Sequence, residues 1–201
     1  MERPSYVLTQ QLSRLDRRAI LRHLHRLSPE DHRLRFGVPQ AEASLRRYVD
    51  GIDFERDALF GVFDDDLELV GFAHVALGEE AEFGVSVDPA HRGRGIGTAL
   101  LARSMDYARN RMIPTLLVHC LAENRAMYAM ARKAGMQIVT ASGEADAYLK
   151  LPLPDAASVS GELLSQRVAL FDFALKAQVA AAKRFSAVWR GKDKDAKSRK
   201  D

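Results

Sequence analysis

Apolar residues along this chain keep helical spacing at first, then fall into strand-like runs, and the change predicts where a sheet begins. From Leu12 to Leu27 the positions Leu12, Leu15, Ala19, Ile20, Leu24 and Leu27 share one arc of a helix, while Arg14, Arg18, Arg22 and Arg26 step by four along another. This reads as an amphipathic helix with a basic flank, preceded by a short opening strand, Tyr6-Val7-Leu8. Ser28-Pro29 breaks it, and a second helical stretch is expected from Gln40 to Val49. At Ala58 the character changes. Ala58 to Phe63, Leu67 to Leu77 and Ala81 to Asp88, separated by turns at Asp64-Asp65-Asp66 and Gly78-Glu79-Glu80, predict three strands in an antiparallel meander. After Pro89 come a glycine-rich loop and a helix from about Gly97 to Arg111. A strand from Pro114 to Cys120, a helix from Glu123 to Lys133 closed by Gly135, and a hairpin of Met136 to Ala141 with Ala145 to Leu151 around Ser142-Gly143 complete the pattern. The order β, αα, βββ, α, β, α, ββ places the chain in the α/β class, as a mixed sheet flanked by helices.

Pro152 and Pro154 mark a boundary. Beyond it Leu164, Val168, Phe171, Leu175, Val179, Ala182 and Trp189 keep close to helical periodicity, which predicts a long helix from about Ser160 to Arg190. The expected organisation is a domain over residues 1–153, a helical extension over 154–190 and a disordered charged tail over 191–201. At about 30 residues the helix is too long for a domain of this size to cover with its own surface, so its apolar stripe is expected to meet a second copy or a partner protein.

Composition removes several function classes. A chain of 201 residues with 47% hydrophobic and 28% charged content can bury a core without staples. No run approaches a membrane span and the start lacks the pattern of a secretory signal, so a cytoplasmic location without membrane association is expected. Cys120 is the only cysteine, which excludes an internal disulfide and a cysteine-based zinc cluster, and the six histidines form no HExxH, so no metal is expected. The isoelectric point near 9.1 invites a nucleic-acid reading. Five basic and three acidic residues from Gly191 to Asp201 supply +2 of the net +3, however, which leaves the folded part nearly neutral and argues against nucleic acid as a partner.

The most informative segment runs from Val85 to Leu100, Val-Ser-Val-Asp-Pro-Ala-His-Arg-Gly-Arg-Gly-Ile-Gly-Thr-Ala-Leu. A strand, a loop with glycines at 93, 95 and 97 and an immediate helix turn several backbone N–H groups toward one point, where the helix dipole also favours an anion. Such a site suits a pyrophosphate; a tight turn without a ligand is the plainer alternative. GxGxxG fails because Thr98 stands where its last glycine is needed, and the Walker lysine is missing.

Arg92-Gly-Arg-Gly-Ile-Gly97 resembles the Arg/Gln-x-x-Gly-x-Gly/Ala signature of the GNAT N-acetyltransferase superfamily. Asn124-Arg-Ala-Met127 followed by Ala131-Arg-Lys-Ala-Gly-Met136 is similar to the family's second cofactor segment. Leu27 to Phe36, Ile52 to Ala58 and Ala81 to Val85 resemble the acetyltransferase domain of bacterial protein-lysine acetyltransferases, and the likeness covers roughly residues 5–151. It implies a mostly antiparallel sheet and acetyl-CoA as co-substrate. The amides of Gly93, Arg94, Gly95, Ile96, Gly97 and Thr98 would then hold the pyrophosphate, with added charge from Arg92 and Arg94. The backbone at Val85 and Val87 would pair with the pantetheine arm, Asn124 would contact that arm, and two parallel strands would splay to admit the thioester.

A base is needed to make an amine neutral, and Glu82, expected to be buried against Phe83, is the candidate, near where related enzymes carry a glutamate. The chain departs from the family pattern at Ala131, where many members have the tyrosine that protonates the thiolate; Tyr128 lies a turn away and reads better as a packing residue. Cys120 reads as a small buried hydrophobe rather than a nucleophile, and His91 and His119 as strand-end or loop residues. The expected function is transfer of acetyl to a primary amine, a protein lysine or a small molecule, by direct attack. The alternative is a CoA-binding sensor or interaction module without turnover.

Overall fold

A computed structural model describes residues 7–198, with side chains to residue 182. Seven strands form one sheet in the order β1-β2-β3-β4-β5-β7-β6: β1 (Gln10–Gln11), β2 (Ala58–Phe63), β3 (Leu69–Leu77), β4 (Ala81–Val87), β5 (Thr115–Leu121), β6 (Gln137–Ala141) and β7 (Glu144–Lys150). Every pairing is antiparallel except β4 with β5. Six helices accompany it: α1 (Arg17–His25), α2 (Pro29–Phe36), α3 (Glu42–Asp50), α4 (Ile96–Asn110), α5 (Arg125–Lys133) and α6 (Ala156–Ser198).

Two apolar layers sandwich the sheet. On one side α4 and α5 bury Ile96, Leu100, Leu101, Met127 and Ala131 against Phe60, Val75, Phe83 and Val118. On the other, α1 and α3 bury Ile20, Leu24, Leu45 and Val49 against Leu59, Leu69 and Phe72. Each fully buried side chain of this size contributes about 1.5–3 kcal/mol by leaving water.

The meander, the strand after α4 and the closing hairpin fall where hydrophobic spacing puts them, to within two residues at each end. The first sixty residues differ more. The opening strand is Gln10–Gln11; Val7 and Leu8 are not in it, and Tyr6 lies outside the described residues. The first helix is shorter than its pattern because Ser13 and Asp16 close a capping box around a 3-10 turn, and α1 starts only at Arg17. Leu15 falls in that turn and is 93% exposed, not part of the apolar stripe. Ser28-Pro29 does end α1, but it also begins α2: Ser28 and Asp31 form a second capping box, and Pro29 sits in the first turn, where a missing N–H costs nothing. Three arginines of the expected basic flank meet acidic partners, Arg14 with Glu55, Arg22 with Glu68, and Arg26 with Glu68 and Asp88, while Arg18 makes no ion pair among the described residues.

The helix expected over 160–190 runs from Ala156 to Ser198, 43 residues and about 65 Å long. It therefore extends through the first part of the segment expected to be disordered, as a helix already nucleated propagates at little cost; residues 199–201 lie outside the described residues. Near its start it is fastened to α4. Buried Glu162 accepts from Arg103 at 3.4 Å, from Asn110 at 2.7 Å and from Arg111 at 3.2 Å. Farther along, Phe173 packs edge-on against Phe63. Among the described residues no helix is long and apolar enough to cross a membrane, and no group of three or more potential ligands is placed to hold a metal.

At α1 a polar contact crosses the second layer. His23 on α1 is fully buried, with Nδ1 2.9 Å from the carbonyl of Leu69 and Nε2 2.8 Å from the Ser86 hydroxyl. A carbonyl only accepts, so Nδ1 carries the proton and Ser86 donates to Nε2. Burial lowers the His23 pKa to about 4 from an ordinary 6.5. The unfolded chain then binds a proton that the folded one refuses, so stability is full above pH 6.5 and declines as pH falls toward 4. We expect urea unfolding to lose about 3 kcal/mol across that window, and His23→Gln to flatten this part of the profile.

Candidate active site

The site begins where β4 and β5 part. They pair only at Ala81 with Leu116 and Glu82 with Leu117, although β4 continues to Val87 and β5 to Leu121. Beyond Glu82 the β5-facing edge of β4 has no strand partner. The antiparallel ladder shows which groups this frees. The N–H of Asp88 bonds to Val70 on the β3 side, so by the two-residue alternation Phe83, Val85 and Val87 turn their main-chain groups toward the opening. The Val87 carbonyl accepts from Arg92 Nε at 3.2 Å. The expected splay is present, and Val85 and Val87 stand on its free edge.

β4 leads through a 3-10 turn at Pro89–His91 into the glycine loop. Gly93 and Gly95 hold φ of 75° and 79°, a region where a side chain costs about 1–2 kcal/mol. These turns aim the backbone of the loop at the N-terminus of the 15-residue α4. Among the described residues none of the six N–H groups from Gly93 to Thr98 donates within the protein; the first that does is Ala99, to the carbonyl of Gly95 at 2.9 Å. Six unspent donors at the positive end of a helix form an anion site.

Splay and loop open into one cavity of about 490 Å³. Val85, Ser86 and Val87 form its floor, the loop from Arg92 to Thr98 one end, and Leu34 and Arg35 of α2 face Asn124, Met127 and Met130 across it. All the sequence-derived binding residues reach it except Arg94, whose guanidinium turns back to the carbonyl of Ala90 at 3.3 Å. Arg92 is paired with Asp31 at 2.6 Å, which ties the loop to α2. Asn124 caps α5 through Oδ1, accepting from Met127 N–H at 3.1 Å, and its Nδ2 donates to the carbonyl of Leu34 at 3.3 Å. Lys133, also on the wall, was not singled out by the sequence because a lysine closing a helix has a sufficient local explanation.

Glu82 stands at the apex of the splay, but it is exposed, not buried against Phe83. Strand alternation turns Phe83 into the α4 layer and Glu82 to the opposite face. That face carries polar residues the sequence did not connect. Tyr48 and His74 Nδ1 are 2.7 Å apart, His74 Nε2 is 3.0 Å from Asp57 Oδ2, and Arg56 donates to Asp57 Oδ1 at 3.0 Å. Burial lowers the His74 pKa and raises that of Tyr48; burial works against ionised Asp57, yet the bonds from Arg56 and His74 hold it below the usual range. The imidazole is thus neutral, with Nε2–H donating to Asp57 and the Tyr48 hydroxyl donating to Nδ1. On β5 His119 lies 2.6 Å from Asp146, whose hydrogen bond raises the histidine pKa.

Tyr128 does not line the cavity: its hydroxyl meets Thr140 on β6 at 2.7 Å, and Ala131 is in the core. Cys120 is buried on the α4 side, and burial raises its pKa, the condition of an inert thiol.

Comparison with known proteins agrees with this geometry. The mycothiol acetyltransferase of Rhodococcus erythropolis is 36% identical over 83 residues, covering 36% of this chain and 28% of that protein. The N-alpha-acetyltransferase RimI of Mycobacterium tuberculosis is 36% identical over 77 residues, covering 35% of this chain and 47% of that protein. The chain thus matches less than half the length of either curated relative. Among solved structures, the GNAT domain of S. lividans PAT superposes with a TM-score of 0.63 at 21% identity, covering 75% of this chain and all of that one. Spermidine N-acetyltransferase from Vibrio cholerae, in complex with CoA and spermine, superposes with a TM-score of 0.56 at 20% identity, covering 73% of this chain and 96% of that one. At those identities the likeness is one of fold. The sequence model of the Acetyltransferase (GNAT) family matches residues 21–136, more than half of the chain and the whole of the splay, glycine loop and α5, so the chain belongs to the GNAT acetyltransferase family.

Proposed function

We propose that this protein is an N-acetyltransferase that moves an acetyl group from acetyl-CoA to a primary amine, a protein lysine or a small molecule, by direct attack. The observation that carries this reading is the row of six unspent amides at the end of an unpaired strand edge. A diphosphate with an amide-bearing arm matches both at once. The amides of Gly93 to Thr98 would hold the diphosphate, Val85 and Val87 would pair with the arm, and Asn124 would bound it from α5. When bound, the co-substrate supplies a thioester carbon open to attack.

The remaining chemistry belongs to the chain. A lysine amine is protonated at neutral pH, and removing that proton at pH 7 costs about 4.6 kcal/mol. Glu82, at the apex of the splay with solvent access, takes the proton and returns it to water. Glu144 and Asp146 beside His119 make the acceptor side acidic, which favours a cation's approach. A spermidine N-acetyltransferase and an N-alpha-acetyltransferase among the similar proteins act on amines, in keeping with this reading. One observation favours the alternative of a CoA-binding sensor: neither Ala131 nor Tyr128 brings a hydroxyl to the cavity to protonate a thiolate. Coenzyme A is a tolerable leaving group without one. A reduced lone cysteine suits the cytoplasmic location included in this reading.

The extension is assigned to self-association. Leu164, Val168, Phe171 and Leu175 alternate steps of four and three, the spacing of a two-stranded seam, and are 65%, 42%, 74% and 52% exposed. The opposite face, with Ala169 and Phe173, is already used against the domain. A seam of this kind is complementary to itself, so its occupant is a second copy.

In a DTNB assay with candidate amines, Glu82→Gln should lower turnover by about 10²–10⁴-fold with CoA affinity unchanged; CoA binding without turnover on any amine in the wild type would favour the sensor. Gly95→Val meets no protein atom within 4 Å of the new Cβ, yet strains the loop and crowds the amides. Calorimetry should show CoA binding at least about tenfold weaker with only a small loss of thermal stability. The double variant Val168→Lys with Leu175→Lys should halve the mass seen by light scattering, and a monomeric wild type would remove the seam.

A further inference from the structure

Helix α2 lies across the opening between β4 and β5 and is held there from both sides, by Arg92 with Asp31 on the β4 side and, on the β5 side, by Glu123 with Arg33 and Asn124 with the Leu34 carbonyl. The cations around it are neutralised: Arg33 pairs with Glu30 and Glu123, and Arg92 with Asp31. Among the described residues that line the cavity Arg35 and the exposed Lys133 are the exceptions, and of the two only Arg35 has a buried nitrogen. It lines the cavity, and among the described residues it makes no ion pair. Its Nε is buried without a hydrogen-bond partner, and Nη2 reaches the Tyr48 oxygen only at 3.5 Å, the outer limit of a bond. Tyr48 donates its proton to His74 and can accept from Nη2, but Nε is left without an acceptor among the described residues.

The guanidinium has a slot of its own. It lies against Gly84 of β4, where any Cβ would fall inside the planar group. Gly84 is three residues before Val87, about 10 Å along the strand from the end that leads to the glycine loop. It is two residues, about 7 Å, from Glu82 and on the same face. Glu82 and Arg35 both act electrostatically on Tyr48 and His74, which places the two charges in one neighbourhood. Glu82, at the apex of the splay beside the cavity, is placed to take a proton from an amine, and Arg35 on the cavity wall offers a largely uncommitted planar fork of donors. Leaving a buried guanidinium nitrogen unpaired is costly, and the group that best fits the fork is a carboxylate, accepting two parallel bonds.

We propose that Arg35 is a substrate-binding residue that holds a carboxylate of the acceptor, so that the amine acetylated belongs to a molecule carrying a carboxylate a few bonds away: an amino acid, or a peptide with an acidic group next to the amine. This rests on the acetyltransferase reading and narrows its substrate class. A polyamine without a carboxylate is disfavoured, because its second cation would meet the guanidinium.

The test is calorimetry on the full chain, wild type and Arg35→Gln, first with CoA and then, with and without CoA present, with N-acetylalanine against its neutral amide. A second arm compares succinyl-CoA with acetyl-CoA. We expect the carboxylate form of acetylalanine to bind the wild type at least about tenfold more tightly than the amide. Arg35→Gln should bring the two within about twofold at unchanged CoA affinity, and Arg35→Lys should recover part of the difference. Equal affinities for acid and amide in the wild type would overturn the assignment. So would a preference confined to succinyl-CoA over acetyl-CoA and lost in Arg35→Gln, which would give the carboxylate to the acyl group instead. Failure of CoA to bind the wild type would strike the acetyltransferase reading, and the comparison of acid with amide without CoA would still decide the role of Arg35.

Discussion

Two neighbouring strands that stop sharing hydrogen bonds after two residues determine most of what this molecule can do. A buried main-chain donor or acceptor without a partner costs on the order of a lost hydrogen bond, so sheets normally continue their ladders. Here β4 leaves its outward groups at Val85 and Val87 without a strand, and the next residues leave six more amides uncommitted. Both sets face the same cavity. The fold thus holds a line of hydrogen-bonding capacity that no strand of the protein occupies.

Keeping the strands apart needs support on both faces of the sheet. On the α4 side the separation is covered by Met127 and Ala131 of α5, packed on Val118 and Cys120 of β5. On the other, α2 bridges the gap, with Arg92 bonded to Asp31 at its start and Asn124 to the Leu34 carbonyl near its end. His23 fixes α1 to β4 through Ser86, on the cavity floor. The three hydrogen-bonded contacts, Arg92 with Asp31, Asn124 with Leu34 and His23 with Ser86, each span sixty or more residues of sequence. The opening therefore forms only once both halves of the domain have assembled.

That distance explains what could be read beforehand. The strand, glycine loop and helix were legible because φ above zero, free amides and a helix start are all local demands, met by Gly93, Gly95 and their neighbours. Alternation in the meander gave the strands for the same reason. Pro29 was misleading, since one residue type both ends a helix and starts the next, and only the Ser28–Asp31 capping box distinguishes the two. The face on which Glu82 lies followed from strand parity, yet apolar neighbours in sequence suggested burial that strand alternation denies. Arg35, Tyr48, His74 and Asp57 come from four elements, and nothing in their separate surroundings announces that they meet.

The free flank of β4 has another implication. An unpaired strand edge at the rim of a sheet invites a neighbouring molecule to add its own strand, which is how many native sheets begin to aggregate. In this protein the unpaired edge lies in the middle of the sheet, roofed by α2 and bordered by α5, with β5 a short distance beyond. An arriving strand thus finds no rim to extend there, while a thin, unbranched arm that carries its own amides, as proposed for the co-substrate, would meet the same hydrogen bonds from within the sheet.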